Sequence, residues 1–496
     1  MICKPNPPAA LIALAAALVL GSCVGADDSA DADAAPKGDP AVVRLIGEAD
    51  TAMADGALTD AGRKLDEARS LAPDDPDVWV AITRLRFRGG EHLTALDAAD
   101  RALTLGPRNA SALLMRAMMV RDAHGPAASL PWFEAALATD PENADVWAEY
   151  AASLGDSGRG RAMLRAVRKF AALAPDDPRA FYLQALLAAR GGNPALARSL
   201  LVRSGMARRE VPAAMQLDAV LSLAEGNFDS AAVTLERLAA RQPGNPRLRE
   251  LLARALLSGG REAELIARFG NEAGRSEASP YLAMLTARAH ERLGSRAAAA
   301  PLLARAYAGA QRAPMVLADR PGLPQPTAAM RSAAARANWN MAQAQAQTLR
   351  DQFPASADVA NLAGDAALGA GDIGDALEVY ALSAKVRRPW PLTRKVVFAS
   401  RRAGDGAAAD ALLARHLAGE PNALTANAEL AEALAARGDW KRAALLIDHT
   451  IALGGGHDPA LLTLRIKAAR ALNRPADARR FAMLLAEIRP RSLTRR

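Results

Sequence analysis

The side chains best suited to catalysis or metal binding are scattered along this sequence. No two of its histidines have the spacing that brings two imidazoles onto one metal ion; the six are His92, His124, His290, His416, His449 and His457. The run Gly454-Gly455-Gly456 lacks the lysine and hydroxyl residue of a phosphate-binding loop, so it indicates a turn. Carboxylates are frequent, but no pair differs from ordinary solvated side chains. The sequence therefore predicts no catalytic residue, no metal site and no cofactor, and it favours a binding protein over an enzyme.

Cys23 is the one residue whose surroundings indicate a specific modification. An apolar stretch at 9–20 leads into Leu20-Gly21-Ser22-Cys23. The stretch is shorter than the roughly 20 residues of a membrane-spanning helix, and its end resembles the bacterial lipobox, in which small residues precede a lipidated cysteine. The resemblance implies a signal peptide at 1–22 and a lipid on Cys23. The alternative is an ordinary secretory signal cut after Ala26, which would leave a soluble periplasmic protein.

The residues around Cys23 also indicate where the protein resides. Cys3 would leave with the signal peptide, so no disulfide is expected. Val24 stands where lipoproteins of the inner membrane usually carry aspartate, so the resemblance implies the periplasmic face of the outer membrane. Residues 23–41 are small and acidic, which predicts a flexible tether.

Net charge favours anionic partners. The whole chain carries +8, and the first 40 residues hold five aspartates but only two lysines, which leaves +11 on the remainder. Nucleic acid is excluded at the predicted location, so the expected partners are envelope proteins or an acidic polysaccharide.

A period of 34 residues organises the sequence from position 42 onward. Glycines lie at multiples of this spacing, at Gly56, Gly90, Gly158, Gly192, Gly226, Gly260 and Gly294, with His124 in the remaining position beside Gly125. Alanines keep the same period at Ala49, Ala117, Ala151, Ala185, Ala219, Ala253 and Ala287, and prolines keep it at Pro73, Pro107, Pro141, Pro175 and Pro243. Glycine ends a first helix cheaply, alanine lets a second helix cross it closely, and proline ends the second helix. Each unit is therefore predicted to be a helical hairpin.

This unit resembles the tetratricopeptide repeat. Trp79, Trp147 and Phe181 occupy the bulky position near its start, and Phe133 and Tyr380 occupy its later aromatic position. The match runs through eight consecutive units over 42–313. The resemblance implies an all-α fold, a right-handed superhelical solenoid of antiparallel helix-turn-helix repeats whose curved inner face binds partners.

A proline-rich break at 314–326 interrupts the period and is a candidate hinge. Beyond it, Ala342, Ala376, Ala409, Ala443 and Ala478 lie 34, 33, 34 and 35 residues apart. We therefore expect about 13 units in two sub-arrays, eight over 42–313 and about five over 327–490, followed by a basic tail at 491–496.

The resemblance places partner binding at the second, fifth, ninth and twelfth positions of each first helix. The candidate groove residues there are Arg84, Phe87, Arg121, Tyr182, Arg247, Arg254, Tyr281, Arg288, Arg331, Arg394 and Arg401. Arginine can grip a carboxylate or phosphate through two parallel hydrogen bonds, and the alternative is that these arginines only solubilise an alanine-rich chain.

A denser basic cluster surrounds Trp390 and consists of Lys385, Arg387, Arg388, Arg394, Lys395, Arg401 and Arg402. We interpret it as a charged surface at an irregular junction, in preference to a site for phosphates or an acidic glycan.

The sequence thus predicts a non-enzymatic scaffold. Resemblance to other lipidated arrays of this repeat implies a role in exopolysaccharide synthesis and export. The alternative is an adaptor for the assembly of outer-membrane proteins, of a pilus or secretin, or of peptidoglycan enzymes.

Overall fold

The computed structural model describes residues 39–243, 245–275, 278–308, 314, 316–318 and 325–488, and every regular element in them is a helix. The predicted signal peptide, Cys23 and the basic tail lie outside the described residues, as do most of the tether and much of the break at 314–326. The first helix begins at Pro40, inside the predicted tether, because Asp39 caps it by accepting a hydrogen bond from the Ala41 amide at 2.8 Å.

Sixteen helices precede the break. They are α1 Pro40–Ala54, α2 Leu58–Leu71, α3 Pro76–Arg88, α4 His92–Leu105, α5 Ala110–His124, α6 Pro126–Thr139, α7 Ala144–Asp156, α8 Gly160–Leu173, α9 Pro178–Arg190, α10 Pro194–Ser204, α11 Pro212–Ala224, α12 Phe228–Arg241, α13 Pro246–Ser258, α14 Glu262–Ala273, α15 Pro280–Arg292 and α16 Arg296–Ala308.

Ten helices follow it. They are α17 Ala328–Ala335, α18 Trp339–Gln352, α19 Ala357–Ala370, α20 Ile373–Val386, α21 Trp390–Arg402, α22 Gly406–Gly419, α23 Leu424–Ala436, α24 Trp440–Ala452, α25 Pro459–Ala471 and α26 Pro475–Ile488. Short 3-10 helices lie at Gln325–Thr327 and at Gly455–His457 in the predicted glycine turn.

Successive helices pair into 13 hairpins, which we number as units 1–8 (the first array, α1–α16) and units 9–13 (the second array, α17–α26). The predicted all-α repeat solenoid is therefore confirmed. The glycines that keep the 34-residue period have φ between 73° and 82°, a left-handed conformation that ends each first helix. In unit 3 the helix extends through His124, and Gly125 ends it with a φ of 93°.

The periodic alanines are the points where helices cross. Ala49, Ala117, Ala151, Ala185, Ala219, Ala253 and Ala287 are all 0% exposed. Phe133 and Tyr380, the two later aromatics, are also fully buried. Small side chains at these crossings let the helix backbones approach closely, so a larger residue would force them apart.

Polar details recur from unit to unit as well. Asp75 and Asp177 cap α3 and α9, each accepting a hydrogen bond from a backbone amide at 2.8 Å. The indoles of Trp79 and Trp147 donate to the carbonyl oxygens of the prolines six residues earlier, at 2.7 and 2.8 Å. These bonds fix the loops that precede α3 and α7.

The second array lies against the first, and we call the two arrays the second and first turns of the solenoid: units 10–12 contact units 2–4. The Ala357 amide donates to Nδ1 of His92 at 3.3 Å, the Arg388 amide to the Asp122 carbonyl at 3.0 Å, and the Asn422 side chain to the Asp156 carbonyl at 3.4 Å. The partners in these three contacts are 265 or 266 residues apart, so units 10–12 keep one register along units 2–4. We call this surface the inter-turn interface.

Within the described ranges, no helix is both long and apolar enough to cross a bilayer.

Candidate binding surfaces

The first helices line the concave face of the first array. The pairs α1 and α3, α3 and α5, α7 and α9, and α13 and α15 pack directly against each other, whereas consecutive second helices contact each other only weakly. Closer spacing of the first helices bends the array toward them. The candidate groove residues therefore lie on helices that face the inside of the curve.

Several of the candidate groove arginines are neutralised by carboxylates of neighbouring units. Arg84 pairs with Asp50 at 3.2 Å, and Arg121 pairs with Glu149 at 2.6 Å. In the second array Arg401 pairs with Glu429 at 3.0 Å, and Arg394 lies 4.0 Å from the same carboxylate. These side chains join adjacent units to each other.

The aromatic candidates are partly built into the core. Phe87 packs edge-on against His92, with ring centroids 5.2 Å apart. Tyr182 packs against the apolar residues of units 4–6, and burial raises the pKa of its phenol. Tyr281 is half-buried against the core of units 6–8.

Arg331 binds the segment that precedes the second array. Its guanidinium donates to the Thr327 hydroxyl at 3.0 Å and to the Ala318 carbonyl at 2.8 Å. Leu317, next to that carbonyl, is buried in the core of units 9 and 10.

The remaining candidates cluster in units 7 and 8. The Arg247 side chain is 64% exposed and lies 3.5 Å from Glu250, and Arg288 pairs with Glu291 on its own helix at 2.6 Å. Arg254 is exposed and makes no hydrogen bond or ion pair with any described residue. Val220, at the same position of the preceding unit, is 41% exposed. Units 6–8 therefore combine accessible arginine with accessible apolar surface.

The basic cluster around Trp390 is not one surface, which corrects that interpretation. Lys395 is buried, and its ammonium lies 2.7 Å from Asp365 Oδ1, which also accepts a hydrogen bond from Tyr380 Oη at 2.7 Å. Arg388 is buried at the inter-turn interface, while Arg402 is exposed. The inter-turn stacking explains the burial of Arg388, because it covers the junction between α20 and α21 with α5.

A cavity of about 580 Å³ lies between the two superhelical turns. It is bounded by α4 and α5 on one side and by α20, α21 and α22 on the other, and Arg116, His124, Lys385, Arg388 and Arg415 line it. Desolvation at the cavity wall lowers the pKa of His124, and the nearby arginines add to this effect.

His416 lies beside this cavity, within the second array. It is 2% exposed, its ring centroid is 5.3 Å from that of Trp390, and Nδ1 lies 3.3 Å from the Thr393 hydroxyl. Burial lowers the pKa of its imidazole to about 4, and Arg388 contributes to that shift. Burial also raises the pKa of Glu420, whose carboxylate is 3.8 Å from His416.

We did not predict from the sequence that two glycines, Gly125 and Gly419, allow a close backbone contact at the inter-turn interface. A Cβ added to Gly419 would overlap the carbonyl oxygen of His124, and one added to Gly125 would come within 2.7 Å of the Gly419 backbone. The sequence did carry a signal, since Gly125 is the one positive-φ glycine at the end of a first helix in the first array that is displaced from the 34-residue register. Among the described residues, no three His, Cys, Asp or Glu side chains are grouped as metal ligands would be.

Comparisons with known proteins bear on the repeat itself. Two family models, both described as tetratricopeptide repeat, match residues 80–144 and 222–264. None of the curated proteins compared with this chain matches its sequence.

Similar solved structures share the repeat fold alone. PilW, a widely conserved type IV pilus biogenesis factor, is 19% identical over 44% of this chain and 99% of its own, with a TM-score of 0.35. The pilF protein of Pseudomonas aeruginosa is 20% identical over 47% of this chain and 93% of its own, with a TM-score of 0.30. A tetratricopeptide repeat protein from Parabacteroides merdae is 17% identical over 54% of this chain and 93% of its own, with a TM-score of 0.26. Since the matched segments belong to an array of hairpins built on the same pattern, the chain is a tetratricopeptide-repeat protein.

Proposed function

We propose that this protein is a non-enzymatic scaffold that binds an acidic protein segment or polysaccharide along the first helices of units 6–8. The supporting observation is the contrast within the groove. Arg84 and Arg121 are paired with carboxylates, whereas Arg254 is exposed and unpaired, and Val220 at the same position of the preceding unit is exposed as well. A cation that its own protein leaves unpaired, on a face that also exposes apolar side chains, favours an anionic partner with some apolar character.

We further propose that a lipid on Cys23 anchors the protein to the periplasmic face of the outer membrane, where it supports exopolysaccharide synthesis and export. The sequence from Leu20 to Cys23 supports the anchor. The alternative is an adaptor for outer-membrane protein, pilus, secretin or peptidoglycan-enzyme assembly, and the identity of the groove's partner separates the two.

Charge reversal in the groove tests the binding surface. We expect Arg254→Glu and Arg288→Glu to weaken binding of an acidic polysaccharide such as alginate, and rising salt to weaken binding by the unmodified protein. Arg296→Glu is the matched control, because Arg296 is exposed at the start of a second helix. Equal affinities for all four proteins would remove the groove from the proposal.

Site-specific photo-crosslinking identifies a protein partner. A photoreactive residue at Val220 should capture a partner in native membranes that the same residue at Val233 does not, since Val233 is exposed on second helix α12. An exporter component would support the leading role, and a secretin, barrel-assembly protein or peptidoglycan enzyme would support the alternative.

The anchor has its own test. Cys23→Ser should move the protein from the detergent phase to the aqueous phase on phase partitioning. A variant that stays in the detergent phase would show that the lipid claim is wrong.

A further inference from the structure

The inter-turn cavity holds a buried arginine with no ion-pair partner. Arg388 is 8% exposed, its Nε has no hydrogen-bond partner, and no carboxylate lies within ion-pair distance, although Glu420 attracts it from farther away. Its backbone amide donates to the Asp122 carbonyl at 3.0 Å, which fixes the residue at the interface. A buried, unpaired charge is costly to the folded protein, so its position in the wall of a cavity indicates a missing anion.

Neighbouring charges strengthen this indication. Arg116, Lys385 and Arg415 also line the cavity, against the two carboxylates of Asp97 and Asp100. Arg116 lies 3.5 Å from Asp100, yet its Nε is buried without a hydrogen-bond partner. The lining therefore has an excess of two positive charges.

The rest of the lining is largely apolar. Met119, Val120 and Ala123 of α5 face Leu377 and Ala381 of α20 across the cavity, whose volume of about 580 Å³ lies in the range of small-molecule sites. An inorganic anion would leave these walls against water, whereas a ligand with a hydrocarbon body would cover them.

We propose that the inter-turn cavity binds a small amphiphilic carboxylate, with its head on Arg388 and its hydrocarbon body between α5 and α20. The site is separate from the groove of units 6–8 and does not depend on the proposed function. Because residues of both superhelical turns line the cavity, an occupied site would hold the two turns together.

Calorimetric titration of the purified protein with octanoate, 1-octanol and inorganic phosphate tests the proposal. We expect saturable octanoate binding, and weaker binding of octanol, which lacks the charge, and of phosphate, which lacks the apolar body. Arg388→Met should weaken octanoate binding about tenfold or more. It should not lower the Tm of the free protein, because it removes a buried unpaired charge. Arg402 is exposed on α21, so Arg402→Met should bind octanoate with the same affinity as the unmodified protein.

A second variant and an NMR measurement on His124 give two further tests of octanoate binding. Ala381→Trp should block the apolar wall and reduce octanoate binding with every charge retained. Bound carboxylate should raise the pKa of His124, measured by NMR of its imidazole protons, because it offsets the field of Arg388, Arg116 and Arg415. Absence of saturable octanoate binding, equal affinity in Arg388→Met, or octanol or phosphate binding at least as tight as octanoate would each overturn the proposal.

Discussion

The two arrays differ in the polar side chains that they bury. In the described part of the first array, every buried polar side chain is a serine or threonine hydroxyl: Thr83, Ser129, Ser153, Ser157, Ser204, Ser222, Thr234 and Thr286. Thr83, Ser157 and Thr286 each donate to a carbonyl one turn earlier in the same unit. The second array also buries ionisable or amide groups, namely Asp365, Arg388, Lys395, His416, Asn427 and Arg465.

This difference predicts how the stability of each array depends on its individual units. Hydroxyls such as Thr83 and Thr286, which bond within their own helix, do not link one unit to the next, so stability in the first array should be close to a sum of units and interfaces. In the second array Lys395 bonds Asp365 in the preceding unit, and Arg465 bonds Asp448 in the preceding unit at 2.7 Å. Buried networks of this kind are stabilising only when complete, so the second array should be more sensitive to single changes.

The largest expected effect is at Asp365. Asp365→Ala leaves the Tyr380 hydroxyl without its partner and the buried Lys395 ammonium with only the neutral Asn361 Oδ1 at 3.3 Å, which should cost about 3–5 kcal/mol in the free energy of unfolding of the second array. Urea unfolding followed by tryptophan fluorescence measures it. Asp375→Ala, at an exposed site on α20, should cost under about 0.5 kcal/mol, and equal losses in the two variants would contradict the network.

The double variant Asp365→Leu with Lys395→Met tests whether the cost of Asp365→Ala comes from an unpaired buried charge. Removing both charges together should recover most of the stability that Asp365→Ala loses, because no buried charge is then left unpaired. A double variant as unstable as Asp365→Ala would assign the cost to packing.

The second effect is a pH dependence set by His416. Its folded pKa of about 4 lies below the ordinary value of 6.5, so the folded protein favours the neutral imidazole. The associated stability is present above pH 6.5 and is lost as the pH falls toward 4, by up to about 3 kcal/mol. Arg388 faces the imidazole and disfavours its charged form in the same sense.

Comparison with His416→Gln over pH 7.5 to 4 isolates this contribution. As the pH falls from 7.5 to 4, the unmodified protein should lose more unfolding free energy than His416→Gln does. Glu420, whose raised pKa acts in the opposite direction, is present in both and largely cancels. Parallel stability curves would show that His416 does not titrate as described.

The third effect tests the stacking of the two turns. Gly419→Ala places a methyl group against the carbonyl oxygen of His124, which should cost about 1–3 kcal/mol or separate the turns locally. Hydrogen exchange at the Arg388 amide, which bonds Asp122 across the interface, should accelerate. Gly406→Ala lies on the same helix with nothing within 4 Å of the added methyl, and it should leave the exchange unchanged. Unchanged exchange in both variants would contradict the stacking.

Sequence reasoning succeeded where the cause is local. The left-handed glycines, the alanines at the crossings and the aspartate caps each act within one hairpin, so their spacing alone predicts them. The pairing of Arg84 with Asp50 was within reach, because both occupy the ninth position of consecutive units. The burial of Arg388 was not, since it depends on contact with Asp122, 266 residues earlier in the chain, which no local spacing encodes.

The smallest expected effect concerns an exposed ion pair of the first array. Arg101 of unit 2 pairs with Asp74, in the loop that joins units 1 and 2, at 2.9 Å, and the two side chains are 46% and 74% exposed. Solvent screens such a pair, so Arg101→Met should cost under about 1 kcal/mol, and 1 M salt should abolish most of that cost. Arg69→Met, which removes a pair of similar exposure within α2, is the control and should behave alike. If Arg101→Met instead cost as much as Asp365→Ala, the ion pairs between units would be as cooperative as the buried network, and the two arrays would be stabilised in the same way.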